Sequence, residues 1–142
     1  MKHKPKILII EDAEVNHQLY RDAFENAGFD VTILASIDGD FYEAVMTTAP
    51  DIISMDLVIG NGEHDGFEAM RDLKLYPKTK KIPVIVLTNF SEESKVERSK
   101  EFGAVDFIST MGQSIQKIPD HFLRYLKNPK KYKASHPYFR KS

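Results

Sequence analysis

The sequence predicts one α/β domain: a five-stranded parallel sheet, strand order 2-1-3-4-5, covered by helices on both faces. Three observations predict it. Short apolar runs alternate five times with amphipathic stretches along 142 residues. The runs are rich in branched residues, as in Val84-Ile85-Val86-Leu87, which suits strands with no wet face. The connections between them are short, as β/α units require.

Each element follows from a local pattern. Lys6 to Ile10 is the first strand. Residues 14–27 carry Val15, Leu19, Ala23 and Ala27 four apart, a helical stripe, and Gly28 stands where a helix C-cap belongs. Val31 to Ala35 is the second strand. Asp38-Gly39-Asp40 is a turn, and residues 41–48 form a short helix with Phe41, Ala44, Val45 and Thr48, ended by Pro50. Asp51 to Met55 is the third strand, and a loop with glycines at 60, 62 and 66 follows. Phe67 to Leu75 is the third helix, with Phe67, Met70 and Leu73 inward. Pro83 to Leu87 is the fourth strand. Residues 91–102 form the fourth helix, where Ser91 can cap and Glu92 and Glu93 suit the positive end of the helix dipole. Gly103 stops it. Val105 to Ile108 is the fifth strand. The last helix shows Ile118, Phe122 and Leu126 on one face, ends near Lys127, and accepts Pro119 only in its first turn.

Composition excludes several function classes. The absence of cysteine removes disulfides, thiolate catalysis and cysteine-ligated metals. No segment is long and apolar enough for a bilayer span or a signal-peptide core, so the expected location is the cytoplasm, without a membrane partner. The formal charge of −1 hides an asymmetry. Residues 127–142 hold six cations and no acid, so 14 cations face 21 acids in residues 1–126, a balance of −7. An acidic body is no nucleic-acid binder. The expected organisation is a domain over 1–127 and a basic tail over 128–142, the tail read as a solvated, frayed terminus.

In open parallel sheets, sites lie beyond the carboxyl ends of the strands. Glu11 and Asp12 follow the first strand, Asp56 closes the third, Thr88 follows the fourth, and Thr110 follows the fifth. Strands one, three, four and five are neighbours in the predicted order, so these residues share one crevice. Carboxylates crowded together repel, and a divalent cation resolves the conflict. Hard oxygen ligands with room for water and phosphate oxygens point to Mg²⁺. Asp12 has a second reading as a helix cap, and Thr88 as an ordinary strand residue. Asp56 interrupts an apolar run at the end of a central strand, where a structural aspartate has no obvious partner.

These residues carry a resemblance. Ile7-Leu-Ile-Ile-Glu-Asp12, Pro50-Asp-Ile-Ile-Ser-Met-Asp56-Leu57, Asp65-Gly66-Phe-Glu68, Pro83-Val-Ile-Val-Leu-Thr88 and Gly103-Ala-Val-Asp-Phe-Ile108 resemble, in order and spacing, the response-regulator receiver domain of two-component signalling. The resemblance spans about residues 6–127 and implies the flavodoxin-like (βα)5 three-layer sandwich. It implies Asp56 as phospho-acceptor, and Glu11, Asp12, Asp56 and the carbonyl of Val58 around Mg²⁺. It implies Thr88 as the hydroxyl that moves toward the phosphoryl group, and Phe107 as the aromatic whose inward turn reports the switch. The implied donor is a histidine kinase or phosphotransfer protein and the implied output is contact with a downstream protein target, by a monomer or weak homodimer. Enzyme activity is expected to go no further than self-phosphorylation from a phosphodonor and autodephosphorylation.

Three departures matter. Where the family has lysine then proline at the end of the fifth strand, this sequence has Thr110 and Met111, a hydroxyl without charge. Weak or altered activation is the expectation, with Lys117 a possible substitute. The loop from Asp56 to Gly66 is longer than the common pattern, and His64 within it reads as a solvated histidine. Asn89, after Thr88, is larger than the family's usual residue there and is expected to hinder attacking water.

Three other readings are weighed. A degenerate pseudo-receiver acting as a phosphorylation-independent interaction module is favoured by Thr110 and opposed by Glu11, Asp12, Asp56 and Thr88. A haloacid-dehalogenase-like or Toprim-type Mg²⁺ enzyme needs an Asp-x-Asp that neither Glu11-Asp12-Ala13-Glu14 nor Asp56-Leu57-Val58 supplies. A flavodoxin needs a phosphate loop where Glu11 and Asp12 would repel phosphate.

Overall fold

All five strands form, each within one residue of the bounds that the apolar runs predict. The computed structural model describes residues 3–37, 39–57, 66–89 and 92–140. The strands are β1 (Lys6–Ile10), β2 (Asp30–Leu34), β3 (Ile52–Met55), β4 (Val84–Thr88) and β5 (Asp106–Ser109). The helices are α1 (Glu14–Asn26), α2 (Phe41–Thr48), α3 (Gly66–Leu75), α4 (Glu93–Glu101) and α5 (Ile118–Lys127). The sheet has the predicted order β2-β1-β3-β4-β5, and every pairing is parallel.

Alternation along the strands divides the core into two layers. Leu8, Ile10, Ile53, Met55, Val84, Val86 and Phe107 face one way, against Val45 of α2, Met70 and Leu73 of α3 and Val96 of α4. Ile7, Ile9, Ile52, Ile85, Leu87 and Ile108 face the other, against Tyr20 and Phe24 of α1 and Ile118 and Phe122 of α5. Phe24 and Phe122 meet edge to face at 5.1 Å, tying the two helices together beneath the sheet.

Local chemistry sets the helix ends. Asp40 caps α2 by accepting the Glu43 N–H at 3.0 Å. Pro119 sits in the first turn of α5, where its missing N–H costs nothing. Gly28, at φ +103°, takes the left-handed conformation that ends α1. The expected cap at Ser91 and the turn at Asp38 lie outside the described residues.

Two expectations need correction. The α1 stripe is rotated: Val15 and Leu19 are 78% and 51% exposed, and the buried face is Tyr20, Ala23 and Phe24. An exact four-residue repeat drifts by about 40° per step around a helix of 3.6 residues per turn, so its members cannot share one face, and only Ala23 of this stripe is buried. The C-terminal segment is not frayed over 128–140. Ala134 is buried, and residues 137–139 form a 3-10 turn that packs on α4. The segment brings donors and rings to β5, as detailed below. None of the described helices is long and apolar enough to cross a membrane.

Candidate functional site

β1 and β3 run side by side with Ile10 opposite Met55, so the residues that follow them emerge together. Asp56 is fixed there by its own N–H, which donates to the Ile10 carbonyl at 3.2 Å. Glu11, Asp12 and Asp56 each offer a carboxylate oxygen within 4.8 Å of the others. β4, next to β3, brings Thr88, whose hydroxyl donates to Asp56 Oδ1 at 3.4 Å. Together with Ala13, Asn16, Tyr20 and Asn89 these residues line a cleft of about 230 Å³.

The electrostatics of the cleft follow from burial and charge. Burial pushes the Glu11 carboxyl above its ordinary range, and the Asp12 charge pushes the same way. The Ala13 N–H, which donates to Glu11 Oε2 at 3.1 Å, and the Asn16 side chain oppose the shift. Burial also raises the Tyr20 phenol, aided by the charges of Glu11 and Asp56, so Tyr20 stays protonated beside the acids. No lysine or arginine is among the described residues that line the cleft. Three hard-oxygen donors close together, Glu11 buried, Asp12 exposed and Asp56 between the two, suit a magnesium ion and no soft metal.

Gly66, the first residue of α3, presses against the backbone of Asp56. A Cβ at position 66 would lie 2.4 Å from the Asp56 carbonyl oxygen. The Gly66 N–H donates to the Leu57 carbonyl at 3.2 Å. The start of α3 therefore sets the height of Asp56 in the cleft, and only glycine allows it.

The structure gathers Glu11, Asp12, Asp56 and Thr88. The N-cap residue of α1 is Ala13 and not Asp12. Thr110 stands near the cleft through its N–H, which donates to the Thr88 carbonyl at 2.9 Å, but its hydroxyl donates to the Asn89 side-chain oxygen. Lys117 is exposed in a 3-10 turn before α5 and does not line the cleft. Phe107 faces the same side of the sheet as Val86 and Thr88, is 2% exposed, and meets the His136 ring at 5.9 Å. Val58, Glu63, His64 and Asp65 lie outside the described residues.

Asn16, Tyr20 and Gly66 belong to the site and were not singled out from sequence. Asp12, Asn16 and Tyr20 are four residues apart, a spacing that aligns the two helical members over the strand end. That spacing was a readable signal. The close approach of Gly66 was not, because it depends on where α3 begins.

Comparison with known proteins agrees with this geometry. The family model for the response regulator receiver domain matches residues 7–114. The chain is 36% identical over 103 residues to the KDP operon transcriptional regulatory protein KdpE of Escherichia coli, covering 72% of this chain and 43% of that protein. It is 32% identical over 103 residues to the polar-differentiation response regulator DivK of Brucella ovis, covering 72% of this chain and 81% of that one. The chain thus spans less than half of the transcriptional regulator and most of DivK. Among solved structures, the signal receiver domain of a histidine kinase from Syntrophus aciditrophicus superposes with a TM-score of 0.71 at 30% identity, over 93% of this chain and 97% of that one. Chemotaxis protein CheY4 of Vibrio cholerae gives 0.75 at 19% identity, over 85% and 98%, a likeness of fold.

Proposed function

Because the chain belongs to the response-regulator receiver family, we propose that it is a signalling switch. It accepts a phosphoryl group on Asp56 from a histidine kinase or phosphotransfer protein and passes the signal on by contact with a downstream protein. The observation that carries this reading is the meeting of three carboxylates within 4.8 Å beside a hydroxyl that already reaches Asp56.

The chemistry asks little of the chain beyond placement. An Asp56 carboxylate oxygen attacks the phosphorus of a phosphohistidine. The P–N bond breaks, and its electron pair leaves with the imidazole nitrogen, which takes a proton from solvent. Asp56 is held for this by its N–H bond to Ile10 and by the abutting Gly66. Asp12 and Asp56 would hold Mg²⁺ directly and Glu11 through water, with the Val58 carbonyl as a further ligand. When bound, the ion neutralises charge on the equatorial phosphoryl oxygens. Thr88 donates its hydroxyl to one of those oxygens, and Phe107 follows into the space it leaves. Asn89 covers the mouth and slows attack by water.

A second reading, a receiver that signals without phosphorylation, is favoured by one observation. The Thr110 hydroxyl is turned to Asn89, and no described lysine takes over the family lysine's place in the cleft. Acetyl phosphate with Mg²⁺, read by intact mass, separates the two. The phosphorylation reading expects one phosphoryl group on the wild type and none on Asp56→Asn. An unmodified wild type, or equal modification of both, supports the second reading. Thr110→Lys is expected to raise the phosphorylated fraction, and an unchanged fraction would show that the missing lysine is immaterial.

A further inference from the structure

β5 is the edge of the described sheet, and a strand edge flanked by two helices is a ready docking place. Residues 128–140 of the same chain already lie there. Their anchor is Asp106, the first residue of β5, which is 0% exposed. One carboxylate oxygen accepts the N–H groups of Phe107 at 2.7 Å and His136 at 3.1 Å. The other accepts the Ser135 N–H at 2.7 Å and the Tyr132 hydroxyl.

The segment wraps the sheet edge from one helix layer to the other. Tyr132 packs edge to face on Tyr125 of α5, ring centroids 5.3 Å apart. On the far side, Lys100 of α4 donates to the Tyr138 carbonyl at 3.0 Å, and Phe139 packs on the core layer that holds Phe107. Between them the His136 ring meets Phe107.

We infer that the face made by α4, β5 and α5 is a docking surface occupied in cis by residues 132–140, and that loading of Asp56 loosens this strap. The inference rests on the phosphorylation reading. Thr88 and Phe107 lie on adjacent strands and the same sheet face. A shift of Thr88 toward an oxygen on Asp56 opens volume beside the Phe107 ring. A ring that moves into that volume leaves His136. The Phe107 N–H shares its carboxylate oxygen with the His136 N–H, so the same movement disturbs the anchor. A partner that needs this face therefore meets it covered at rest and exposed in the loaded state. Coupling is reciprocal: opening of the strap must favour the loaded state by the same factor by which loading favours opening.

The test uses the full chain with Mg²⁺ and beryllofluoride, binding being followed by ¹⁹F NMR. Amide exchange at Ser135 and His136 reads the anchor, and tryptic cleavage at the Lys133–Ala134 bond reads the strap, since Ala134 is buried. Both are expected to speed up by about fivefold or more with beryllofluoride bound. Tyr132→Phe, which removes one donor and keeps the ring, is expected to tighten beryllofluoride binding by about threefold or more. Bound beryllofluoride with unchanged or slower exchange and cleavage overturns the coupling alone. So does an unaltered affinity in Tyr132→Phe. Failure of beryllofluoride to bind at all overturns the phosphorylation reading, and the coupling with it.

Discussion

Asp106 opens β5 and Asp56 follows β3, and the same sheet serves these two aspartates differently. Asp106 is wholly buried and takes four donors from Phe107, Tyr132, Ser135 and His136. Asp56 stands half-exposed with two more carboxylates within 4.8 Å and the Thr88 hydroxyl at 3.4 Å. A carboxylate supplied with donors in a dry site holds structure together. Carboxylates crowded at an open cleft cost stability, and that cost is what a cation and a phosphoryl group relieve.

The contrast breaks most visibly in stability. Asp106→Ala leaves four donors without their acceptor in a buried place, and should cost about 3–5 kcal/mol in urea unfolding. A loss below about 1 kcal/mol would mean that water replaces the carboxylate and that the strap is held by its rings alone. Gly66→Ala comes next. Its Cβ would meet the Asp56 carbonyl at 2.4 Å, so α3 or Asp56 must shift, at about 1–3 kcal/mol and with a lower phosphorylated fraction. Unchanged stability and phosphorylation would show that α3 does not set the height of Asp56.

Asp56→Ala should act in the opposite direction to Asp106→Ala. Removing one of three repelling acids is expected to raise the stability of the metal-free protein by about 1 kcal/mol while abolishing phosphorylation. A destabilisation comparable to that of Asp106→Ala would erase the comparison. The smallest effect concerns Glu11. Burial raises its carboxyl in the folded state, so the folded protein binds the extra proton and metal-free stability falls as pH rises above 4.5. Glu11→Gln should flatten that slope above pH 4.5 in metal-free urea titrations. A slope that persists in the variant assigns it to another group.

The strands and the acidic crevice were legible because few residues decide them. Branched runs such as Val84-Ile85-Val86-Leu87 admit little but a buried strand, and parallel neighbours in register force Glu11, Asp12, Asp56 and Thr88 together. The α1 face was misread because four-residue spacing only approximates the helical period. The stripe through Val15 and Leu19 begins on the outer face, while Tyr20 and Phe24 carry the packing. The strap was illegible for a different reason. Its anchor pairs are 26 to 30 residues apart, and a run such as Lys130-Lys131-Tyr132-Lys133 reads as a solvated surface. Nothing local tells that Asp106 will be buried and that the tail will bring its donors. The missing lysine at Thr110 was plain in the sequence, but not that its hydroxyl would turn to Asn89.

The central claim is that the cleft beside Asp56 joins a divalent cation and a phosphoryl group. Its most direct measurement is ¹⁹F NMR of beryllofluoride on the wild type and Asp56→Asn, each with and without Mg²⁺. A bound signal is expected in the wild type with Mg²⁺ and in none of the other three samples. A bound signal that survives Asp56→Asn, or one that forms equally well without the metal, would contradict it.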